Sequence, residues 1–592
     1  MSATRQNVVH RMEIDATQER EKNIEKHART ARLQTKRETW SSKIEFQLAV
    51  IGFAVDLANV WRLPWICYRN GGGAFLIPYY VMFLFGGLPM FYLELAIGQY
   101  HRAGCLTIWD KICPMFKGIG IAIVLIGSLT AFFYCPIIAY SLYFVFLSMA
   151  SEVPWKHCGH SWNTENCTEY YLNDSWPVPD NYSALPAAEF LQRRVLQSDQ
   201  SSGIDDLGSI RWPLLGCLAL VLTVVYFALW KGPRSAGKAV WITATMPYVI
   251  LVILLIQSAT LPGAGDGIRY YLTPKWDRLL NQEVWIDAGV QIFFSLGTGF
   301  GTLIAFGSYN KFDNNCRNDA ILTASINCIT SFMSGFVIFA TLGYMAELLG
   351  KTIDDMATEY GGPGLIFVVY PQTIATMSVS PLWAIIFFSM VFFLGIDSTF
   401  GGLEALSTAF CDQFPNTVGR KREIFVLCMV VYVFLGGIPS VTQGGKYVIE
   451  FLDWYGVYFS LLAVVAVQSL VICFAYGVNR FCNDIAEMLG SRPGWFWTAC
   501  WVVISPFLIS AICILSFIQQ FVPLKSEGYV YPEWSLYVGW CIRLGSLLCI
   551  PLYAAYKLLV TKGSLLQVRK LEFAKSDYLP SLVLRITRHD GS

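Results

Sequence analysis

Asp56 stands well inside an apolar stretch, with Val55 before it and Leu57 after it. A carboxylate at that depth in hydrocarbon is expensive unless it faces a cavity or a partner, so an ionisable residue there points to function. Few basic residues lie at comparable depth, and the nearest, Arg62, sits further outward. A cation arriving from solution is therefore the expected partner, and a structural ion pair with another helix is the alternative. A second buried carboxylate, Asp397, lies in Leu394-Gly395-Ile396-Asp397-Ser398-Thr399 and is followed by two hydroxyls. Carboxylate, hydroxyl and freed backbone carbonyls suit a hard cation such as sodium. A hydrogen bond from Asp397 to a neighbouring helix is the competing role. Asn59 and Asn327 are buried amides whose carbonyls suit the same ion, although such residues also serve as hydrogen-bonding glue between helices. Phe53, Tyr134, Phe294 and Phe300 cluster near these positions. An aromatic face attracts a cation by about 0.5–2 kcal/mol, so rings around one carboxylate form an expected receptor for an aromatic amine.

The elements that must position these residues are membrane helices. The chain has 592 residues, 55% hydrophobic and only 14% charged, against about a quarter charged in soluble domains. Twelve segments are long enough to cross a bilayer: 44–68, 74–98, 117–147, 212–230, 238–260, 284–308, 319–346, 380–407, 424–442, 446–475, 495–519 and 535–560. The first is interrupted around Phe53–Asn59 and the sixth around Ser295–Gly301. Each interruption opens a block of five spans. Paired broken helices in two halves of a chain mark a transporter site at mid-membrane; close helix packing by the glycines of span six is the plainer alternative.

An even span number places both termini on one side. Arg37 and Lys43, then Lys231, Arg234 and Lys238, then Arg420, Lys421 and Arg422, and finally Lys557, Lys562 and Arg569 all fall on that side, which becomes the cytoplasm. The loop 148–210 is then external. It carries sequons at Asn166, Asn173 and Asn181, which need external exposure to be glycosylated. Most of the 17 cysteines sit in apolar runs, whereas Cys158 and Cys167 share this polar loop and are the disulfide candidates. No cleavable signal peptide precedes span one. The basic residues form no long stripe, so nucleic acid is not a partner, and no nucleotide-binding loop points to an enzyme. The expected organisation is a cytoplasmic tail over 1–43, a transporter domain over 44–560 and a cytoplasmic tail over 561–592.

Trp61-Arg62-Leu63-Pro64 with Asn70-Gly71-Gly72-Gly73-Ala74-Phe75, and Ser308-Tyr309-Asn310-Lys311-Phe312, resemble the signature of the neurotransmitter:sodium symporters. The resemblance runs from about Glu38 to the end of span twelve, and that family is among the carriers from which the broken-helix rule was drawn. It implies an all-α integral membrane fold of twelve helices, a five-plus-five inverted repeat with helices one and six broken, and sodium- and chloride-coupled alternating access. Amino-acid carriers of the family typically have glycine where Asp56 stands, so the aspartate resembles the monoamine branch. Gly98-Gln99-Tyr100-His101-Arg102, Trp109-Asp110-Lys111-Ile112-Cys113-Pro114, Asp397-Ser398-Thr399-Phe400 and Gly494-Trp495-Phe496-Trp497 are most similar to its serotonin carriers. Phe53 argues the other way, because catecholamine carriers usually have Phe there. Dopamine, noradrenaline or octopamine is therefore the alternative substrate, and an amino acid a more distant one.

Carried over by motif, the resemblance implies a first sodium site of Ala54, Asn59, Ser295 and Asn327 with Asp56 close by. It implies a second of Gly52, Val55, Leu394, Asp397 and Ser398. Chloride would sit among Tyr79, Gln291, Ser295, Asn327 and Ser331. The amine would meet Asp56, and the rest of the substrate Phe53, Thr130, Tyr134, Phe294, Phe300, Ser398 and Thr399. Arg62 and Asp453 resemble an outer gate pair, and Arg37, Trp40, Tyr309 and Asp412 an inner gate network. The resemblance leaves room for potassium countertransport and homo-oligomers. The sequence departs from the family at Leu63 and Trp65 (usually Phe and Tyr), Thr298 (often Pro), Cys135 (usually Asn) and Tyr458 (usually small).

Overall fold

A computed structural model describes residues 38–169, 184–355, 364–526 and 529–560. Arg37, Asn173, Asn181 and most of the two expected tails lie outside the described residues. Among the described residues the regular structure is helical apart from a short antiparallel pairing of Lys525–Ser526 with Tyr529–Val530. Among the described residues nine helices are long and apolar enough to cross a membrane, and two bent pairs raise that to eleven. The window 284–308 is filled by two half-helices, Gln282–Ser295 and Thr302–Ser308, each too short to span alone. Together these account for the twelve expected windows.

Both breaks have local causes. Span one begins at Lys43, where the Ser42 hydroxyl caps the helix by accepting from the Glu45 N–H at 3.2 Å, satisfying one free donor of the first turn. The helix stops at Ala54 because Val55 turns extended, with φ −89° and ψ 96°. It resumes as a π-helical turn over Ala58–Arg62 and an α-helix over Leu63–Arg69, at 47° to the first half. In span six, Gly297, Gly299 and Gly301 have φ of +66°, +85° and +76°. Such left-handed values cost side-chain-bearing residues energy and cost glycine little, so these glycines end the helix rather than only thinning it.

The long third and eighth spans, Gly118–Ser148 and Ser380–Gln413, pack along each other beside the breaks. Span ten runs further than expected. It continues past residue 475 to Gly477, where φ of +97° turns the chain into a polar-faced helix, Val478–Leu489. The loops also carry helices that apolar length could not reveal, Ala264–Leu272 against span seven and Leu365–Ala375 before span eight. One large buried cluster runs through the bundle, and a smaller one gathers around Phe451, Tyr455 and Tyr531. Apolar side chains such as Phe227, Ile256, Leu435, Phe507 and Leu552 point outward on spans four, five, nine, eleven and twelve, as a lipid-facing surface requires. The Cys158–Cys167 disulfide bridges part of the loop between spans three and four, and Asn166 is exposed in the same loop.

Candidate functional site

The extended turn after Ala54 frees the Asp56 carboxylate from the helix face. Its Oδ1 accepts the Ala58 N–H at 2.9 Å, while its own N–H donates to Asn59 Oδ1 at 2.8 Å. The chain thus caps the second half-helix with the carboxylate itself and points it into a cavity. That cavity is lined by Phe53, Asp56, Thr130, Tyr134, Phe294, Phe300, Ser398 and Thr399, which are all eight expected substrate contacts. Asp56 is the single charged side chain among the described residues of its wall. Gly127, Ala131, Cys135, Gly297, Gly402 and Leu403 complete the lining. Most of these are small residues in apolar runs, and only their contact across helices gives them meaning. The cavity holds about 620 Å³ of empty space, counting the part open to solvent.

Close approach fixes the rings. A Cβ on Gly297 would lie 2.3 Å from Phe53 Cε1, and one on Gly401 2.4 Å from Phe53 Cδ2. Phe53 is therefore clamped between the break of span six and the face of span eight. Phe294 and Phe300 meet edge to face at 5.9 Å, and Tyr134 is buried beside Asp56 and Ser398.

Next to Asp56 lies a dense polar network. Asn59 Nδ2 donates to Ser331 Oγ at 2.6 Å and points at Asn327 Oδ1 and Ser295 Oγ at 3.1 and 3.2 Å. Asn327 Nδ2 in turn donates to the carbonyls of Ala54 and Ser295 at 2.6 and 2.9 Å. These are the oxygens freed where the two helices break, so Ala54, Asn59, Ser295 and Asn327 converge on one place. Gln291 reaches the same region by donating to the Ala58 carbonyl at 3.3 Å, and the Tyr79 hydroxyl faces Ser331 and Cys328. The side chains of this cluster are neutral hydroxyls and amides, which suit an anion beside a bound cation.

Asp397 is buried on span eight with the Thr243 hydroxyl beside it, and neither carboxylate oxygen is in a well-formed hydrogen bond. A Cβ on Gly52 would lie 2.5 Å from Asp397 Oδ2, and Ser398 Oγ donates to the carbonyls of Phe53 and Leu394 at 3.1 and 3.3 Å. Two such carboxylate oxygens in an apolar setting are costly, and a small cation between Asp397, Ser398 and the end of the first half-helix would satisfy them. The donor set fits sodium as cargo.

The two regions expected to form gates differ. Arg62 stacks on Phe294 at 4.7 Å and faces Tyr458 at 5.9 Å. Asp453 lies within electrostatic reach of Arg62 without ion-pair contact, and its Oδ1 has no hydrogen-bond partner. The outer pair is therefore brought near but not joined. Among the residues expected at the inner gate, Trp40 packs edge-on against Tyr309 at 6.1 Å, and its indole N–H donates to the Phe306 carbonyl at 3.1 Å. The Tyr309 hydroxyl donates to Glu404 at 2.9 Å, and Glu404 pairs with Arg422 at 2.5 Å. Asp412 accepts the Gly104 N–H at 2.6 Å. Glu404, Arg422 and Thr408, whose hydroxyl shares a 2.6 Å hydrogen bond with that of Tyr309, were not expected here. Glu404 is the second buried carboxylate on span eight, at the same depth signal as Asp397 but one that an ion pair accounts for.

Residues 37–561 match the model of the sodium:neurotransmitter symporter family. The chain is 52% identical over 92% of its length to the sodium-dependent serotonin transporter of Drosophila melanogaster, covering 87% of that protein. It is 49% identical over 89% of its length to the sodium-dependent dopamine transporter of Bos taurus, covering 76% of it. A multi-span chain with two broken helices meeting at a buried carboxylate, and a family match across nearly all of its described length, belongs to the sodium:neurotransmitter symporters, which are carriers and not enzymes.

Proposed function

We propose that this sodium-coupled monoamine carrier takes up serotonin across the plasma membrane with sodium and chloride, by alternating access. The observation that carries the monoamine reading is Asp56, one carboxylate in a cavity otherwise walled by rings, hydroxyls and small residues. An ammonium group pairs with Asp56, and the aromatic part of the substrate lies among Phe53, Tyr134, Phe294 and Phe300 near the Thr130, Ser398 and Thr399 hydroxyls. Sodium occupies the places between Ala54, Asn59, Ser295 and Asn327, and between Gly52, Val55, Leu394, Asp397 and Ser398. Chloride takes the donors of Tyr79, Gln291, Ser295, Asn327 and Ser331. Ions and amine drive the cycle only by binding its states unequally. Loading brings Tyr134 against Phe300 and Arg62 against Asp453, and parting of the Trp40–Tyr309–Asp412 network, with Arg37, releases the cargo inward. Both termini face the cytoplasm, and Asn166, Asn173 and Asn181 carry glycans outside.

Serotonin is favoured by the 52% relative and by the runs around Trp109 and Asp397. A catecholamine or octopamine is the second reading, favoured by Phe53 and by the 49% relative. Uptake of labelled serotonin in transfected cells, with sodium or chloride replaced and with dopamine, noradrenaline and octopamine as competitors, tests both. Preference for a catecholamine overturns serotonin, and uptake indifferent to sodium and chloride replacement overturns ion coupling.

A further inference from the structure

Arg543 lies in the outer half of span twelve, Glu533–Leu547, and is completely buried. Arginine does not lose its proton in proteins, and an unpaired buried charge carries a desolvation penalty of several kcal/mol. Yet no carboxylate among the described residues lies within ion-pair distance of it. Its Nη2 donates to Gln520 Oε1 at 2.6 Å and to the Trp454 carbonyl at 3.2 Å. Gln520 is held for this task, because its Nε2 donates to the Ser516 carbonyl at 3.2 Å and so turns Oε1 toward the arginine. The remaining guanidinium nitrogens, Nε and Nη1, have no hydrogen-bond partner. They face aromatic rings instead: Trp540, Tyr455 and Phe459 have centroids 4.9, 5.1 and 5.5 Å from Cζ.

Two of those rings and the accepted carbonyl belong to span ten, at the turn that carries the outer gate. Leu452–Tyr458 is π-helical, a widened geometry that recurs at functional sites because its looser hydrogen-bond ladder can rearrange. Asp453 lies in its first turn. The Trp454 ring stacks on Tyr458 at 4.8 Å, and Tyr458 in turn faces Arg62. An unbroken chain of contacts therefore runs from Arg543 through Trp454 and Tyr458 to Arg62. Gly539, one turn before Arg543, completes the grip, since a Cβ there would lie 2.4 Å from the Tyr455 ring.

We propose that Arg543 is a positioning residue for the outer gate: its ring-caged guanidinium holds the π-helical turn of span ten in the arrangement where Asp453 and Arg62 stand apart. Its consequence for uptake rests on the transport reading, but its effect on opening does not. Without the grip, the turn is free to relax toward the closed gate, and the outward-open population falls.

The test places a cysteine at Ala131, on the cavity wall, and measures its rate of modification by a membrane-impermeant thiol reagent on intact cells in sodium. The same protein without the reporter supplies the background from Cys135. Arg543→Gln is expected to slow modification at least about threefold at equal surface delivery, a shift in the two-state population. Arg543→Lys, which keeps the charge over the rings, is expected to stay close to the parent. Gly539→Ala, which displaces Tyr455 while leaving Arg543 in place, is expected to slow it in the same direction. Unchanged modification in Arg543→Gln and Gly539→Ala overturns the proposal, as does failure of both to reach the surface, which assigns the arginine to folding alone. Because modification requires no transport, a wrong substrate or ion assignment leaves this comparison intact.

Discussion

Replacing Asp56 with asparagine separates charge from shape. Asparagine keeps an Oδ1 acceptor for the Ala58 N–H, now 2.9 Å away, so the start of the second half-helix stays capped. What disappears is the negative charge facing the cavity. Two unit charges about 4 Å apart attract by roughly 4 kcal/mol at an effective dielectric of about 20. Part of that is returned because a buried carboxylate no longer has to be desolvated. A net loss of about 2–3 kcal/mol, typical of a hydrogen bond to a charged group, weakens amine binding roughly 30–150-fold. The assay is saturation and competition binding of labelled serotonin to membranes, with surface biotinylation to confirm delivery. Affinity within about threefold of the parent, which is less than 1 kcal/mol, would show that the ammonium group is not held by Asp56 and would remove the central argument for a cationic substrate.

Asp397→Asn and Gly52→Ala are both expected to shift the sodium dependence of uptake to higher concentration, the second because its methyl would sit 2.5 Å from Asp397 Oδ2; an unchanged sodium curve in either, at normal surface level, removes that residue from the ion site. Gly401→Ala forces Phe53 aside from a 2.4 Å overlap, and overpacking of this kind costs about 1–3 kcal/mol, so uptake should show a raised KM. A KM equal to the parent's would mean that Phe53 does not shape the substrate site. Arg422→Gln leaves the buried Glu404 carboxylate without its 2.5 Å partner, a loss of about 3–5 kcal/mol in comparable buried pairs. It should lower thermal stability and increase inward leak of labelled substrate; a parent-like melting temperature and leak would refute the role given to this pair.

Much of the membrane architecture was legible because hydrocarbon imposes a simple rule on sequence. A helix must be apolar and about 20 residues long to cross, and nine helices among the described residues meet that rule outright. The breaks were legible for a related reason. Asp56 and the Gly297-Thr298-Gly299-Phe300-Gly301 run violate the pattern that surrounds them. Span length could not show that span ten bends at Gly477, nor that the loops before spans six and eight fold into helices, because those segments answer to local packing rather than to lipid.

The individual site residues were a different matter. Asp56, Asn59, Asn327 and Asp397 stand out alone, as polar groups where polarity is costly. Gly127, Ala131, Gly402 and Leu403 do not, because a small or apolar residue in an apolar helix carries no local sign that it borders a cavity. Glu404 and Asp397 are both buried carboxylates on one helix, and the two hydroxyls that follow Asp397 do not show which of the two acids is paired. Tertiary structure does: Arg422 arrives from the next span to neutralise Glu404, whereas no basic side chain among the described residues pairs with Asp397. Arg543 is the same case reversed. Its depth marks it as costly, but only folding shows that rings and carbonyls, rather than an acid, surround it. Sequence by itself determined where charge enters the membrane, since that cost is set by the solvent each segment must occupy. Which charges are paired, which are left for cargo and which hold a gate was decided by tertiary structure, because the partner of a buried charge comes from another helix.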